Sequence, residues 1–381
     1  MHLTDKLAHV GESIFSVMSD LARRHGAVNL SQGFPDFNPP DFLLEALERS
    51  IHDNHHQYAP MPGVPILRRR IAEKIKLLYG LDVDYEQEIL ITPGATYGIY
   101  AAINALVHPQ DEVILFEPAY DSYAPSIHMA SGQPVYYRLK PPHYAIDWNQ
   151  VEQLISSRTR VILINTPHNP TGRILGPNDL AALQTLAIKY NLWVVSDEVY
   201  EHILFDGKRH ESVLRYPQLY ARSIVVFSFG KTYHNTGWKI GYVVAPPHLT
   251  ELLRKIHQFL VFSVHTPSQY AFAEILTRSD HYLALPTFYQ QKRDFFREGL
   301  QQTAFEILPC AGTYFQCVRF SSIRPDMSDL EFARWLTTTH KVACIPVSAF
   351  YHDGYDDQVV RFCFAKTPEV LSEALEKLKQ L

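Results

Sequence analysis

The sequence predicts an α/β protein with a seven-stranded, mainly parallel sheet in a large lobe and a second, smaller α+β lobe. Three observations lead there. Between residues 88 and 246, short apolar runs alternate with amphipathic stretches, which is the βαβ rhythm. Runs such as VILIN and IVVF are apolar at consecutive positions, as strands covered by helices on both faces must be. After about residue 275 the texture turns to charged helical sequence interrupted by short apolar runs.

Strands are expected, in order, in EILITPG, DEVILFEP, QPVYYRL, TRVILINTP, LWVVSDEVY, SIVVFSFGK and WKIGYVVAP. Helices are expected in TYGIYAAINALV and NDLAALQTLAIKY, whose apolar residues recur at helical spacing. The second lobe follows from the helical FYQQKRDFFREGLQQ, a strand in GTYFQCVRF, another helix, a strand in VVRFCFA and a final helix. A chain of 381 residues suits two lobes. No repeat or low-complexity linker separates them, so they are expected to share an interface.

Composition removes several function classes. Hydrophobic residues make up 46% and charged residues 20%, with net charge −5 and pI near 6.4, which is not the basic footprint of a nucleic-acid binder. The one compact cationic cluster, Arg68, Arg69 and Arg70, is expected to be a solvated helix face. MHLTDKLAHVGESIFSVMSD interleaves charge with apolar residues and lacks the continuous apolar core of a signal peptide. No stretch is apolar and long enough to span a bilayer, so no membrane partner is expected. The cysteines, Cys310, Cys317, Cys344 and Cys363, lack C-x-x-C spacing, and a reduced cytoplasmic protein is expected. His52, His55 and His56 sit in a polar turn, HDNHHQY, without ligand-like spacing, so no metal is expected.

In open α/β sheets ligands sit outside the carboxyl ends of the strands, and this sequence gathers polar residues there. They are Gly94-Ala95-Thr96, Tyr120, Asn165 with Asn169, Asp197 with Tyr200, and Ser228 with Lys231. Lys231 alone reads as a surface charge; in a positive, partly dry site its amine would lose its proton and form a Schiff base. Ser228, Lys239 and the Gly94-Ala95-Thr96 turn supply hydroxyls, charge and free N–H groups for a phosphate, although Gly-Ala-Thr also reads as an ordinary helix cap. A carboxylate at the end of the buried strand LWVVS needs a cationic partner, and a pyridinium nitrogen is one. Lysine, carboxylate and phosphate cup together are what pyridoxal 5′-phosphate requires.

NTPHNPTG, SDEVYEHI, SFGKTYHNTGWKIGY, NLSQGFPDF and QYAPMPG resemble the class I/II aminotransferases of fold type I, in order along nearly the whole chain. The resemblance is to the branch of methionine aminotransferases and kynurenine or glutamine transaminases. It implies a large cofactor-binding domain over 45–278, with 1–44 and 279–381 forming an N-terminal arm and small domain. It implies pyridoxal 5′-phosphate, with pyridoxamine phosphate as the intermediate carrier of the amino group. Lys231 would hold the cofactor and shuttle the proton, Asp197 would keep the ring nitrogen protonated, and Tyr200 and Asn169 would bind the ring hydroxyl. Tyr120 would stack on the ring, and Gly33, Asn169 and Arg361 would hold the substrate carboxylate. Gly94, Ala95, Thr96, Ser228 and Lys239 would hold the phosphate together with Tyr58, donated across a homodimer interface. Lys239 departs from the arginine common at its place in the wider family, and gives charge without a two-pronged fork.

Three functions compete at this point. An aminotransferase for neutral amino acids is expected, because SQGFPDF, QYAPMPG and EPAYDSY offer Phe34, Tyr58, Met61, Tyr120 and Tyr123 but no arginine for a side-chain carboxylate. A cysteine-conjugate β-lyase would use nearly the same residues. A non-catalytic ligand-sensing domain is disfavoured, since QGFPDF begins at residue 32 and leaves no room for a basic DNA-binding module ahead of it.

Overall fold

The computed structural model describes Leu7 and residues 10–381. All seven expected strands of the large lobe form: β1 (Ile89–Thr92), β2 (Glu112–Glu117), β3 (Gln133–Arg138), β4 (Thr159–Asn165), β5 (Trp193–Asp197), β6 (Ser223–Ser228) and β7 (Gly241–Val244). They make one sheet in the order β1-β7-β6-β5-β4-β2-β3. β7 runs antiparallel to both of its neighbours, and the other pairings are parallel.

The continuous apolar runs have a direct physical reason. Successive side chains of a strand point to opposite faces, and both faces of this sheet are dry. Ile91, Ile114, Ile162, Val194 and Val225 enter one core, while their neighbours Leu90, Val113, Leu163, Val195 and Val226 enter another. The second core is closed by helix residues Ile99, Ala102, Ile103 and Leu106, the first by Leu180, Leu183 and Ala187. Each such side chain fully removed from water contributes roughly 1.5–3 kcal/mol.

This stacking fixes one working edge. Because β7 alone is reversed, its first residue lies beside the carboxyl ends of its neighbours: Thr92 and Ser228 both pair with Gly241, and Asn165 pairs with Asp197. Chemistry-bearing residues far apart in the chain therefore meet along one line.

The second sheet has four antiparallel strands, β8 (Glu306–Ile307), β9 (Phe315–Arg319), β10 (Ile345–Pro346) and β11 (Val359–Cys363), in the order β10-β11-β9-β8. An N-terminal segment joins this sheet's surroundings, since Val28–Asn29 pairs in parallel with Val342–Ala343. Three helices matter for the site: α1 (Ile14–His25), α2 (Pro65–Tyr79) and α3 (Ala95–Leu106). In α2 the solvated arginine face is only partly found. Arg68 is buried, its Nε donating to Gly63 O at 3.1 Å and its Nη1 to Tyr85 O at 2.8 Å, because the following loop folds back over it. The four cysteines are buried free thiols, and no helix of the described residues is long and apolar enough to cross a membrane.

Candidate active site

At the working edge lies a cavity of about 290 Å³, reached by residues of both sheets and of the N-terminal segment. Asp197 ends β5 and is buried. Its Oδ2 accepts from the Tyr123 hydroxyl at 2.6 Å and its Oδ1 from the Val199 N–H at 3.2 Å. Burial pushes the carboxyl up to about 6, while these two bonds and the Lys231 charge pull it back. Asn165 braces the strand end, donating to Asp197 O at 2.9 Å and accepting from the Asn169 N–H at 2.7 Å.

Lys231 stands three residues beyond the end of β6, with its amine turned into the cavity. Desolvation brings that amine down to about 8; Asp197 and Cys363 oppose the shift, and Lys239 and Arg361 add to it. The amine donates to the Tyr314 hydroxyl at 2.9 Å and sits 3.4 Å from Gly33 O. Tyr200, also buried, presents its ring 5.4 Å from the amine.

The N-terminus of α3 forms the cavity's polar end. Gly94 precedes it at φ 83°, a conformation that favours glycine, and no side chain caps the first turn. A Cβ on Gly94 would lie 3.3 Å from the Lys239 Cε and 3.4 Å from its Nζ, so the lysine chain lies directly over the turn. Ala95, Thr96 and Ser228 line the same end. Uncapped N–H groups, two hydroxyls and an ammonium make an anion cup.

The same cavity is lined by Arg361, which is fully buried on β11. Its Nη1 donates to Asn169 Oδ1 at 2.6 Å and its Nη2 to Ser31 O at 3.1 Å, while Nε has no partner. Phe315 covers the guanidinium at 3.8 Å, and Phe15 of α1 and Phe350 lie 5.3 Å away. A buried donor without an acceptor is unfavourable, and a carboxylate would relieve it.

Gly33, Gly94, Ala95, Thr96, Tyr120, Asn169, Asp197, Tyr200, Ser228, Lys231, Lys239 and Arg361 therefore come together in one cavity. Tyr58 does not: it is 82% exposed and rests edge-on against Phe262, outside this cavity of its own chain. Met61 also lies outside the lining. Tyr123, expected among the substrate-pocket aromatics, has its hydroxyl committed to Asp197. Phe15 and Tyr314 carry no signal in the sequence, where each reads as a lone aromatic in an apolar run.

The family model for aminotransferase class I and II matches residues 26–378. The chain belongs to this family. The aminotransferase is 49% identical to the methionine aminotransferase of Escherichia coli (strain K12), over 99% of this chain and 97% of that protein. It is 33% identical to kynurenine–oxoglutarate transaminase 1 of Homo sapiens, over 94% and 93% of the two chains. The crystal structure of YbdL from Escherichia coli, described with a methionine aminotransferase function, superposes with a TM-score of 0.98 at 48% identity and covers both chains completely. The enzyme is a transaminase that depends on pyridoxal 5′-phosphate. Its residues fit that group: a lysine amine brought down toward neutrality, a buried carboxylate in the same cavity, an uncapped helix N-terminus beside Lys239, and a guanidinium with a free donor.

Proposed function

We propose that the aminotransferase takes a neutral L-amino acid, with methionine or an aromatic amino acid foremost and kynurenine or glutamine-like donors accepted, and passes its amino group to a 2-oxo acid. The observation that carries this reading is Arg361 with its unpartnered Nε, in a cavity whose neighbouring walls are Phe15, Phe34, Tyr120 and Phe315. One carboxylate has a fork to dock on; a side-chain carboxylate has none. The relatives named for methionine and kynurenine support the same class.

Bound there, pyridoxal 5′-phosphate supplies the carbonyl that receives the amino group and a ring that draws electron density from the substrate α-carbon. With that group bound, Lys231 Nζ would be the base that takes the substrate α-proton and holds it for return. Asp197 would hold a proton at the ring nitrogen, Tyr200 and Asn169 would bind the ring hydroxyl, and Tyr120 would pack against the ring. Gly94, Ala95, Thr96, Ser228 and Lys239 would bind the phosphate, joined by Tyr58 of the partner subunit. Arg361, Asn169 and the Gly33 backbone orient the substrate carboxylate.

The homodimer in this reading is supported by an exposed apolar ridge, where Phe259 is 86% and Tyr58 82% exposed beside Leu260 and Phe262. A reducing, cytoplasmic setting suits four buried thiols. In this reading 45–278 is the large cofactor-binding domain and 1–44 with 279–381 the N-terminal arm and small domain, residues 1–6, 8 and 9 lying outside the described residues; the cavity draws Lys231 and Asp197 from the first span and Phe15, Gly33, Phe315 and Arg361 from the second. Following 2-oxo acid formed from methionine beside ammonia released tests the reaction. One oxo acid per amino group transferred, without ammonia, is expected. Faster release of ammonia and pyruvate from a cysteine conjugate would overturn it in favour of β-elimination.

A further inference from the structure

We propose that Tyr314 is a positioning residue for the Lys231 amine: its phenol oxygen is the dock that the amine occupies whenever it is free of the cofactor, and the same hydroxyl ties that dock to Gly33. The inference rests on the assignment of Lys231 as the cofactor-binding lysine and goes beyond it.

Three partners surround the Tyr314 hydroxyl: Gly33 O, the Lys231 amine and the Tyr200 side chain. Tyr314 Oη donates to Gly33 O at 2.6 Å, and a carbonyl has no proton to give back. The phenol's single proton is thereby committed, which turns its lone pairs toward the Lys231 amine at 2.9 Å. Gly33 O itself lies 3.4 Å from that amine, so amine, phenol and carbonyl form a closed triangle. Burial raises Tyr314 well above the usual phenol range and keeps it neutral, an acceptor rather than a competing anion.

Tyr314 is also held still. It is fully buried, its ring perpendicular to Tyr200 at 5.2 Å and packed by Phe315 at 4.9 Å and Tyr289 at 5.8 Å. Its carbonyl accepts from the Phe364 N–H at 3.0 Å, which links it to the strand end beyond Arg361. A lysine amine moves on four rotatable bonds; a rigid phenol at one end restricts it to one place. Because Gly33 is expected at the substrate carboxylate, the position of the amine is coupled to the order of that loop.

The phenol oxygen accepts better from an ammonium than from a neutral amine, so removing it lowers the amine's titration midpoint. The other groups facing Lys231 are Asp197, Cys363, Lys239, Arg361 and Tyr200; Tyr314→Phe leaves the first four untouched and removes one side-chain hydrogen bond from Tyr200, which is why the amine's midpoint and not the rate alone decides. Tyr289→Phe is the control, since it deletes a nearby buried hydroxyl that bonds to His234 Nδ1 and not to Lys231.

The test uses the full-length enzyme. Trace acetylation of Lys231 in cofactor-free protein, mapped by peptide mass from pH 6 to 10, gives the amine's midpoint, and single-turnover reaction of cofactor-loaded protein with methionine gives the rate. Tyr314→Phe is expected to lower the midpoint by about half to one pH unit and to slow single turnover about 10- to 100-fold, while Tyr289→Phe changes neither. An unchanged midpoint overturns the proposal, even where the rate falls, because a rate loss alone marks a structural role. Equal shifts in Tyr289→Phe overturn it as well. Borohydride reduction of the loaded wild-type enzyme separates the two readings. A tag on another lysine removes the Lys231 assignment, whereas a tag on Lys231 with unmoved Tyr314→Phe midpoints removes only the inference.

Discussion

Tyr123 donates its hydroxyl to Asp197 Oδ2 at 2.6 Å, from a helix start 74 residues earlier in the chain. A hydrogen bond to the charged form favours ionisation, so it works against the burial that lifts Asp197 to about 6. The carboxylate is ionised above that pH and lost as pH falls through it. Affinity for pyridoxal 5′-phosphate, whose ring nitrogen needs an anionic partner, should therefore weaken below about pH 6. In Tyr123→Phe the fall should begin about one unit higher, the worth of a bond to a charged group. Spectrophotometric cofactor titrations at several pH values measure this, and superimposable curves for the two proteins would refute it. Asp197→Asn, neutral at every pH, should still bind cofactor, with the weakened affinity of the protonated wild type and no fall near pH 6, and should lose roughly 10²–10⁴-fold in turnover.

Lys231 is the second target. An amine at about 8 is neutral in roughly one molecule in ten at pH 7, whereas an ordinary lysine is so in about one in several thousand. The shift is downward because burial disfavours the ammonium. Holoenzyme reduced with borohydride should carry the tag on Lys231, and Lys231→Ala should be inactive while keeping its fold by circular dichroism. A tag on Lys239 would show that the wrong lysine was assigned.

These two residues were legible in the sequence because each follows an apolar run that can only be a doubly covered strand. The same logic placed all seven strands of the large sheet. What was not legible is contact made across the chain. Tyr123 read as a substrate-pocket aromatic because nothing in EPAYDSY says that its hydroxyl meets a strand end 74 residues later. Tyr314 reads as one more apolar position of a strand, and only the return of the N-terminal segment sets Gly33 O beside it. Arg68 reads as solvated because its neighbours Arg69 and Arg70 are charged, and its acceptors, Gly63 O before the helix and Tyr85 O after it, are not revealed by the helix pattern.

Lys74 is a further case of burial hidden from the sequence. It lies in α2, fully enclosed, and donates to Glu201 Oε1 at 2.5 Å and to the Tyr242 hydroxyl at 3.0 Å. Burial would raise Glu201, but the Lys74 charge and the bonds from Lys74 and Tyr79 more than offset it and hold the carboxyl at about 2. Glu201 follows Tyr200 directly, so the pair anchors that segment. Lys74→Met, which strands the carboxylate, should destabilise the protein by ~3–5 kcal/mol, and adding Glu201→Gln should restore most of it. Urea midpoints decide; a double variant no more stable than the single one would refute the coupling. With a lowered folded value, the pair's contribution holds above the ordinary glutamate range and disappears as pH falls toward 2.

Arg361 gives a separable kinetic signature. Its two Nη atoms are occupied by Asn169 and Ser31, and its Nε is free. Arg361→Lys keeps a charge but loses the planar fork, so the KM for methionine should rise about 10- to 100-fold, with a smaller change in kcat. An unchanged KM would show that the carboxylate docks elsewhere.

The last prediction concerns the donor. The cations among the cavity's described lining residues are Lys231, Lys239 and Arg361. Lys231 is needed at the reacting carbon, Lys239 lies over the anion cup at α3, and Arg361 is the fork for the α-carboxylate. An aspartate side chain would then enter a wall formed by Phe15, Phe34 and Phe315 with no cation left to receive it, and desolvating an unpaired carboxylate is strongly unfavourable. Methionine loses little on entering the same wall, and its thioether packs well against ring edges. Discrimination among neutral donors by such a surface is shallow, about 10- to 200-fold per methylene. A broad profile headed by methionine or an aromatic amino acid should therefore fall off steeply, by about 10²-fold or more, at aspartate. A panel of amino acids with one common 2-oxo acid acceptor measures this as kcat/KM. Aspartate ranking above methionine and phenylalanine would mean that a further cation reaches the pocket, the partner subunit being the place to look, and would refute the neutral-donor reading while leaving the family assignment intact.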